Sequence, residues 1–158
     1  WGGFLASLLF FLGLIGGCAG STTCSVKIFR YQIVFASIAR QLKRIHSPNG
    51  IFIPRYQGRQ ISDDILNSVL TFFVVFFASL GILSVLLSLT GLDLITSLSG
   101  AAAALGNIGP GLGETIGPDG NFSSLSETAK WLLIAGMLIG RLELMAVYIL
   151  FTLKFWRN

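Results

Sequence analysis

From Ile65 to Leu89 the chain runs for 25 residues without a charged side chain. At about 1.5 Å per residue, a helix of that length crosses a bilayer with some tilt. Nothing in the run supplies a polar face for water. The rest of the chain agrees: only 11% of its 158 residues are charged and 53% are hydrophobic. Soluble domains carry about 25% charged residues, so the main solvent of this chain is lipid. Residues 4–16 are also apolar and uncharged. With no basic leader and no small-residue cleavage site, they differ from a signal peptide. They read as part of a membrane helix inside which the chain begins.

Those residues are too few for a full span of about 20, and they run into Gly16-Gly17-Cys18-Ala19-Gly20-Ser21-Thr22-Thr23, poor helix material. Helix is expected to resume at Ser25 and continue to about Ile45. Residues 1–45 thus read as a broken membrane helix with an irregular loop over 16–25. Such backbone survives at membrane depth only where protein buries it or water lines it, which makes the loop a candidate pore lining. A helix end with an exit loop accounts for the same residues. Cys18 and Cys24 read as small packing residues rather than a disulfide framework. His46, the single histidine, lies in a basic loop without a second ligand nearby, which argues against a metal.

A polar connector over 46–64 ends in Ser62-Asp63-Asp64, an N-cap with first-turn acids for the uncharged helix. Thr90-Gly91-Leu92-Asp93 reads as a capping box for a short helix over 92–105, built largely of Ser, Gly and Ala. It is too short to span, so it must enter the membrane and stop. A Gly-rich loop follows at 106–113. Ser124-Leu125-Ser126-Glu127 reads as a second box, opening a last helix over 125–155. The apolar part of that helix is broken only by Arg141 and Glu143. The fold class is therefore an all-α membrane protein. Seven of the 11 Lys and Arg lie between Lys27 and Arg59, and the 90–130 segment holds only Lys130. The positive-inside rule then puts 27–59 and the C-terminus in the cytoplasm. Asp93, Glu114, Asp119 and Glu127 would surround an outer mouth and concentrate cations there.

The chemistry this pattern suits is cation dehydration. Backbone carbonyls can replace an ion's water shell, and Gly allows the conformations that aim successive carbonyls one way. In Asn107-Ile108-Gly109-Pro110-Gly111 the expected ligands are the carbonyls of Asn107, Ile108 and Gly109. Gly109 is expected to sit too close to neighbouring backbone for a Cβ, and Gly113 to be more tolerant. An ordinary Gly-Pro-Gly turn is the competing account. The negative C-terminal end of the short helix would favour a cation. Arg141 falls near the middle of the apolar stretch from Trp131 to Leu153 and must face a partner or water; Glu143, two residues on, does not face it. Basic and apolar residues interleave over 26–45, fitting either anionic lipid or a docked soluble protein.

The order span, short helix, Gly-rich loop, span is that of a potassium-channel repeat. Asn107-Ile108-Gly109-Pro110-Gly111 resembles the fourth filter segment of the TrkH/TrkG/KtrB potassium transporters of the Trk/Ktr/HKT superfamily. Gly16-Gly17-Cys18-Ala19-Gly20-Ser21-Thr22 with Lys27-Ile28-Phe29-Arg30 resembles their interrupted third-repeat M2 helix. Ala129-Lys130-Trp131-Leu132-Leu133 with Gly140-Arg141-Leu142-Glu143 resembles the fourth-repeat M2, and Lys154-Phe155-Trp156-Arg157 the bacterial terminus. One departure is Thr23-Cys24-Ser25, where the family often has glycines; a stiffer loop follows.

The resemblance implies M1–pore helix–M2 repeats, about one and a half of four present here. The third-repeat M2 would occupy 1–45 and the fourth repeat 65–155, with M1 at 65–89, pore helix at 92–105, filter at 106–113 and M2 at 125–155. It implies potassium uptake across the inner membrane, as channel or symporter. Potassium would bind at Asn107, Ile108 and Gly109, with Pro110 and Gly111 in support. Gly20, Ser21, Thr22, Thr23 and Arg141 would form the gate. It also implies a homodimer, surrounding lipid and a cytosolic nucleotide-binding regulatory protein of TrkA/KtrA type, with no organic cofactor and no nucleic acid. The alternatives are a secondary transporter of another family with broken helices and a non-transporting assembly subunit. An intramembrane enzyme using Ser21, Thr22 or Cys24 would lack a general base, since His46 lies in the basic loop; the chain is therefore read as no enzyme. The charge asymmetry makes a direct prediction. In the full-length protein, an impermeant thiol reagent applied outside should modify Asn121→Cys and spare Asn49→Cys; the opposite pattern would overturn the topology.

Overall fold

A computed structural model describes residues 3–18, 24–47, 50, 53, 55–56, 58–113, 115–118, 120–142 and 149. Its elements are α1 (Gly3–Ile15), α2 (Ile28–His46), β1 (Arg55–Tyr56), β2 (Arg59–Gln60), α3 (Asp63–Leu89), α4 (Leu94–Gly106), a 3-10 turn at Phe122–Ser124 and α5 (Glu127–Arg141). Among the described residues, α3 is the one helix long and apolar enough to cross a membrane. It starts where the Ser62 hydroxyl accepts the Ile65 N–H, with Asp63 and Asp64 in its first turn. Val69, Phe72, Phe76, Ser79, Leu83 and Leu87 are buried along one stripe, three or four residues apart. The opposite face is just as apolar but open, with Val74 68% and Leu89 78% exposed. A helix this apolar on its open side meets lipid or further protein, not water.

The short helix α4 is the centre of the packing and lies between α3 and α5. Every residue from Ser99 to Gly106 is buried. Small side chains allow this, because they let neighbouring helix backbones approach closely. α5 answers with Gly136 and Gly140. A Cβ on Gly136 would lie 2.6 Å from Leu83 Cδ2 and 3.3 Å from Ala104 Cβ, and one on Gly140 would collide with the Leu105 carbonyl. Phe72, Phe76, Leu87, Leu105, Ile116, Leu125 and Leu133 fill the space around these contacts.

Four local features differ from the sequence expectations. Thr90 does not open the short helix: it closes α3, its hydroxyl donating to the Leu87 carbonyl at 2.6 Å. Asp93 is the cap instead, accepting the Thr96 N–H, so α4 covers 94–106 rather than 92–105. The last helix likewise starts at Glu127, because Ser126 rather than Ser124 caps it; past Leu142, apart from Ile149, the expected helix lies outside the described residues. α2 begins at Ile28, not Ser25, because Lys27 adopts a left-handed φ of 64° while the Ser25 hydroxyl is occupied by the Gly13 carbonyl at 2.8 Å. Inside the connector, β1 and β2 form a short antiparallel hairpin with Gly58 at φ +81°. Arg40 ties α2 to the start of α3 through Asp63 at 3.2 Å.

The close α4–α5 contact predicts a contrast between two glycines. Overpacking usually costs about 1–3 kcal/mol, and at Gly140 the obstacle is a backbone carbonyl that cannot rotate away. Gly140→Ala should lower the thermal midpoint of the detergent-purified full-length protein. Gly81→Ala, with no atom within 4 Å of its Cβ position, should leave the midpoint unchanged or raise it, since helix propensity favours Ala over Gly by about 1 kcal/mol. Equal midpoints would show that the contact is not tight.

Candidate functional site

The site is built where α4 stops. Asn107 adopts the left-handed conformation, φ 49° and ψ 42°, which Asn tolerates better than most residues. Its N–H donates to the Ala104 carbonyl at 3.1 Å, and the Ile108 N–H donates to Ala103 at 3.0 Å. This is the Schellman arrangement, which ends a helix and turns the chain sharply. Gly109 follows at φ +109° and Gly113 at φ +99°. The Gly111 N–H donates to the Ile116 carbonyl at 2.8 Å. The Ile108 side chain folds back so closely that a Cβ on Gly13 of α1 would lie 2.7 Å from its Cδ1.

Two side chains hold the loop. The Asn107 amide donates to the Met137 carbonyl of α5 at 3.1 Å. On the other limb, the buried Ser99 hydroxyl accepts the Leu112 N–H at 2.9 Å. Between these points the N–H groups of Asn107, Ile108, Gly111 and Leu112 are taken, Pro110 has none, and that of Gly109 has no partner among the described residues. Among the described residues, nothing donates to the carbonyls of Asn107, Ile108 or Gly109. The loop therefore presents unpaired acceptors next to the C-terminal end of α4, where the helix dipole is negative. At the other end of α4, hydrogen bonding from Thr96 holds the Asp93 carboxyl below the usual carboxylate range. It stays ionised at neutral pH and complements the positive end of the helix.

The expected crowding at Gly109 is corrected: nothing lies within 4 Å of its Cβ position, and its need for glycine comes from φ alone. Gly113 is not a tolerant neighbour either. It shares the positive φ, and a Cβ there would lie 3.1 Å from Thr96 Oγ1. Gly111 is the crowded member, its Cβ position being 2.5 Å from Ile116 Cδ1 and 3.2 Å from Ser99 Oγ.

Arg141, the last residue of α5, reaches across to the chain preceding α2, with its Nη1 3.7 Å from Cys24 Sγ. Gly20, Ser21, Thr22 and Thr23, as well as Glu114, Asp119 and Glu143, lie outside the described residues. Among the described residues no group of three His, Cys, Asp or Glu could hold a metal ion; apart from the Asn107 amide, the described part of the loop offers backbone oxygen. Ser99, the Asn107 side chain and the glycine pair of α5 are site-forming residues that sequence reasoning passed over. The four-residue spacing of Gly136 and Gly140 was the available signal; a serine in a stretch of alanines carries none.

The family model described as TrkH, cation transport protein, matches residues 2–157. The chain is 48% identical over 158 residues to the Trk system potassium uptake protein TrkI of Halomonas elongata, covering all of this chain and 32% of that protein. It is 40% identical over 159 residues to the Trk system potassium uptake protein TrkH of Escherichia coli K12, again covering all of this chain and 32% of the relative. It thus spans about a third of the length of these curated relatives. The crystal structure of the potassium transporter TrkH from Vibrio parahaemolyticus superposes with a TM-score of 0.89 at 36% identity, covering 99% of this chain and 33% of that one.

Proposed function

Because the chain belongs to the TrkH family of cation transport proteins, a family of membrane transporters rather than enzymes, we propose that it takes part in potassium uptake, with the loop after α4 as one quarter of the selectivity filter. The observation that carries this reading is the asymmetry of the loop: the N–H groups of Asn107, Ile108, Gly111 and Leu112 are occupied, while the three successive carbonyls of Asn107, Ile108 and Gly109 have no donor among the described residues. A dehydrated cation is the partner that completes such a row. Pro110 and Gly111 support it, one by its fixed φ and the other by fitting between Ser99 and Ile116.

In this reading α1 and α2 are two halves of the third-repeat M2. α3, α4, the loop and α5 are M1, pore helix, filter and the start of M2 of the fourth repeat. Three further loops from the rest of the full-length protein complete the ring. The protein sits in the inner membrane with its C-terminus in the cytoplasm. It works as a homodimer embedded in lipid, with a TrkA/KtrA-like nucleotide-binding regulator beneath. Arg141 and the loop of Gly20, Ser21, Thr22 and Thr23 form the gate; the contact of Arg141 with Cys24 supports this, since it brings a cation to the foot of that loop.

Two measurements on the full-length protein test the reading. An L-residue forced to positive φ costs about 1–2 kcal/mol, which the loop relieves by turning its carbonyls. Gly109→Ala should therefore reduce the potassium-over-sodium flux ratio about tenfold while leaving protein in the membrane; an unchanged ratio would remove the filter assignment. Arg141→Ala should raise the leak of potassium, because it takes a positive charge from the permeation path. Unchanged conductance at normal abundance would leave Arg141 as a packing residue.

A further inference from the structure

Within the filter reading, which this inference rests on, we propose that Ser99 is a specificity-determining residue: its hydroxyl fixes the outer limb of the loop and so sets the direction of the Gly109 carbonyl. Ser99 is 2% exposed and lies on the face of α4 turned towards the loop. It accepts the Leu112 N–H at 2.9 Å. Its own hydrogen faces the Leu112 carbonyl at 3.2 Å, with the Thr96 carbonyl at 3.5 Å as second acceptor. A single hydroxyl thus engages both polar groups of one loop residue. It also bounds the space for Gly111, whose Cβ position is 3.2 Å from Ser99 Oγ. The Gly111 N–H is meanwhile held by Ile116 at 2.8 Å.

Gly111 and Leu112 are therefore pinned as a unit. Only Pro110 separates that unit from Gly109, and its ring leaves φ no freedom. Gly109 itself has nothing around its Cβ position to steady it. Its orientation is set by what lies on either side: Asn107 held to α5 on one, Ser99 holding Leu112 on the other. Removing the hydroxyl leaves the half-buried Leu112 N–H without its acceptor, and the limb must move to find another. The carbonyl ring then loosens from the outside.

Ser97 is the control. It is equally buried and its hydroxyl bonds the Leu92 carbonyl at 3.3 Å, at the far end of α4 from the loop. In full-length protein, Ser99→Ala should lower the potassium-over-sodium flux ratio about tenfold, the size of one lost hydrogen bond. Ser97→Ala should keep the ratio. Ser99→Cys, with a weaker donor and acceptor, should fall between serine and alanine, and it decides the question if Ser99→Ala does not reach the membrane. A wild-type ratio in Ser99→Cys and in any Ser99→Ala that assembles overturns the proposal. An equal loss in Ser97→Ala also overturns it, by showing a general packing effect. Gly109→Ala is measured beside them. If it too keeps the wild-type ratio the filter reading fails, whereas a loss in Gly109→Ala alone means that Ser99 does not orient the ring.

Discussion

A backbone polar group inside a bilayer has no water to turn to, so every donor and acceptor at that depth needs a partner in the protein. α4 stops inside the packed core, and its end brings this demand to a point. The Schellman turn at Asn107 and Ile108 satisfies two donors. Ile116 takes the Gly111 N–H, Ser99 takes that of Leu112, and Pro110 removes a donor altogether. Among the described residues what is left over is mainly acceptor, three successive carbonyls against the single N–H of Gly109. A segment whose excess is mainly of one sign is poorly suited to apolar packing and well suited to a cation, and the negative end of α4 adds to the same bias.

Such a loop holds its shape only if its surroundings are rigid, and the small residues of α4 serve that end. Ala101 to Ala104 fill no volume of their own. They let α3 and α5 close in until Gly140 of α5 rests on the Leu105 carbonyl and Gly136 on Ala104. Larger side chains would increase the apolar area of each helix, but they would hold the backbones apart and leave the loop unsupported. In lipid, where apolar area gains nothing from being hidden from water, close contact between backbones is what holds helices together.

The sequence made the long-range pattern legible because it rests on hydropathy and charge: the uncharged run of α3, the short helix of small residues, the Gly-rich loop, and basic residues gathered in one segment. The boundaries were less legible. Thr90 and Asp93 both fit the start of a helix, and the choice between them depends on which carbonyl is free to bond the threonine hydroxyl; that is Leu87, one turn back in α3. Gly109 shows a similar limit. Its type signals an unusual conformation but not its cause, and crowding and positive φ read alike in sequence. The role of Ser99 has no local signature, since its partner, Leu112, is 13 residues away.

The same contacts bear on how a gate beside this filter would have to work. Arg141 follows Gly140 directly, and Gly140 is seated on the end of α4. The C-terminal end of α5 therefore cannot shift relative to α4 without opening the contact that also keeps Asn107 in reach of Met137. Under the proposed reading, Arg141 is a fixed charge rather than a moving one. Its counterpart, the segment that contributes Cys24, is tied to α1 through Ser25 and Gly13 and through the Ile28 N–H to the Gly17 carbonyl. Ser25 and Val26 of that segment are also buried, Val26 within the main core, so packing seats it as well as these bonds. Under the same reading, a gate that opens without disturbing the filter acts on the Cys24 side of this contact and leaves the guanidinium in place.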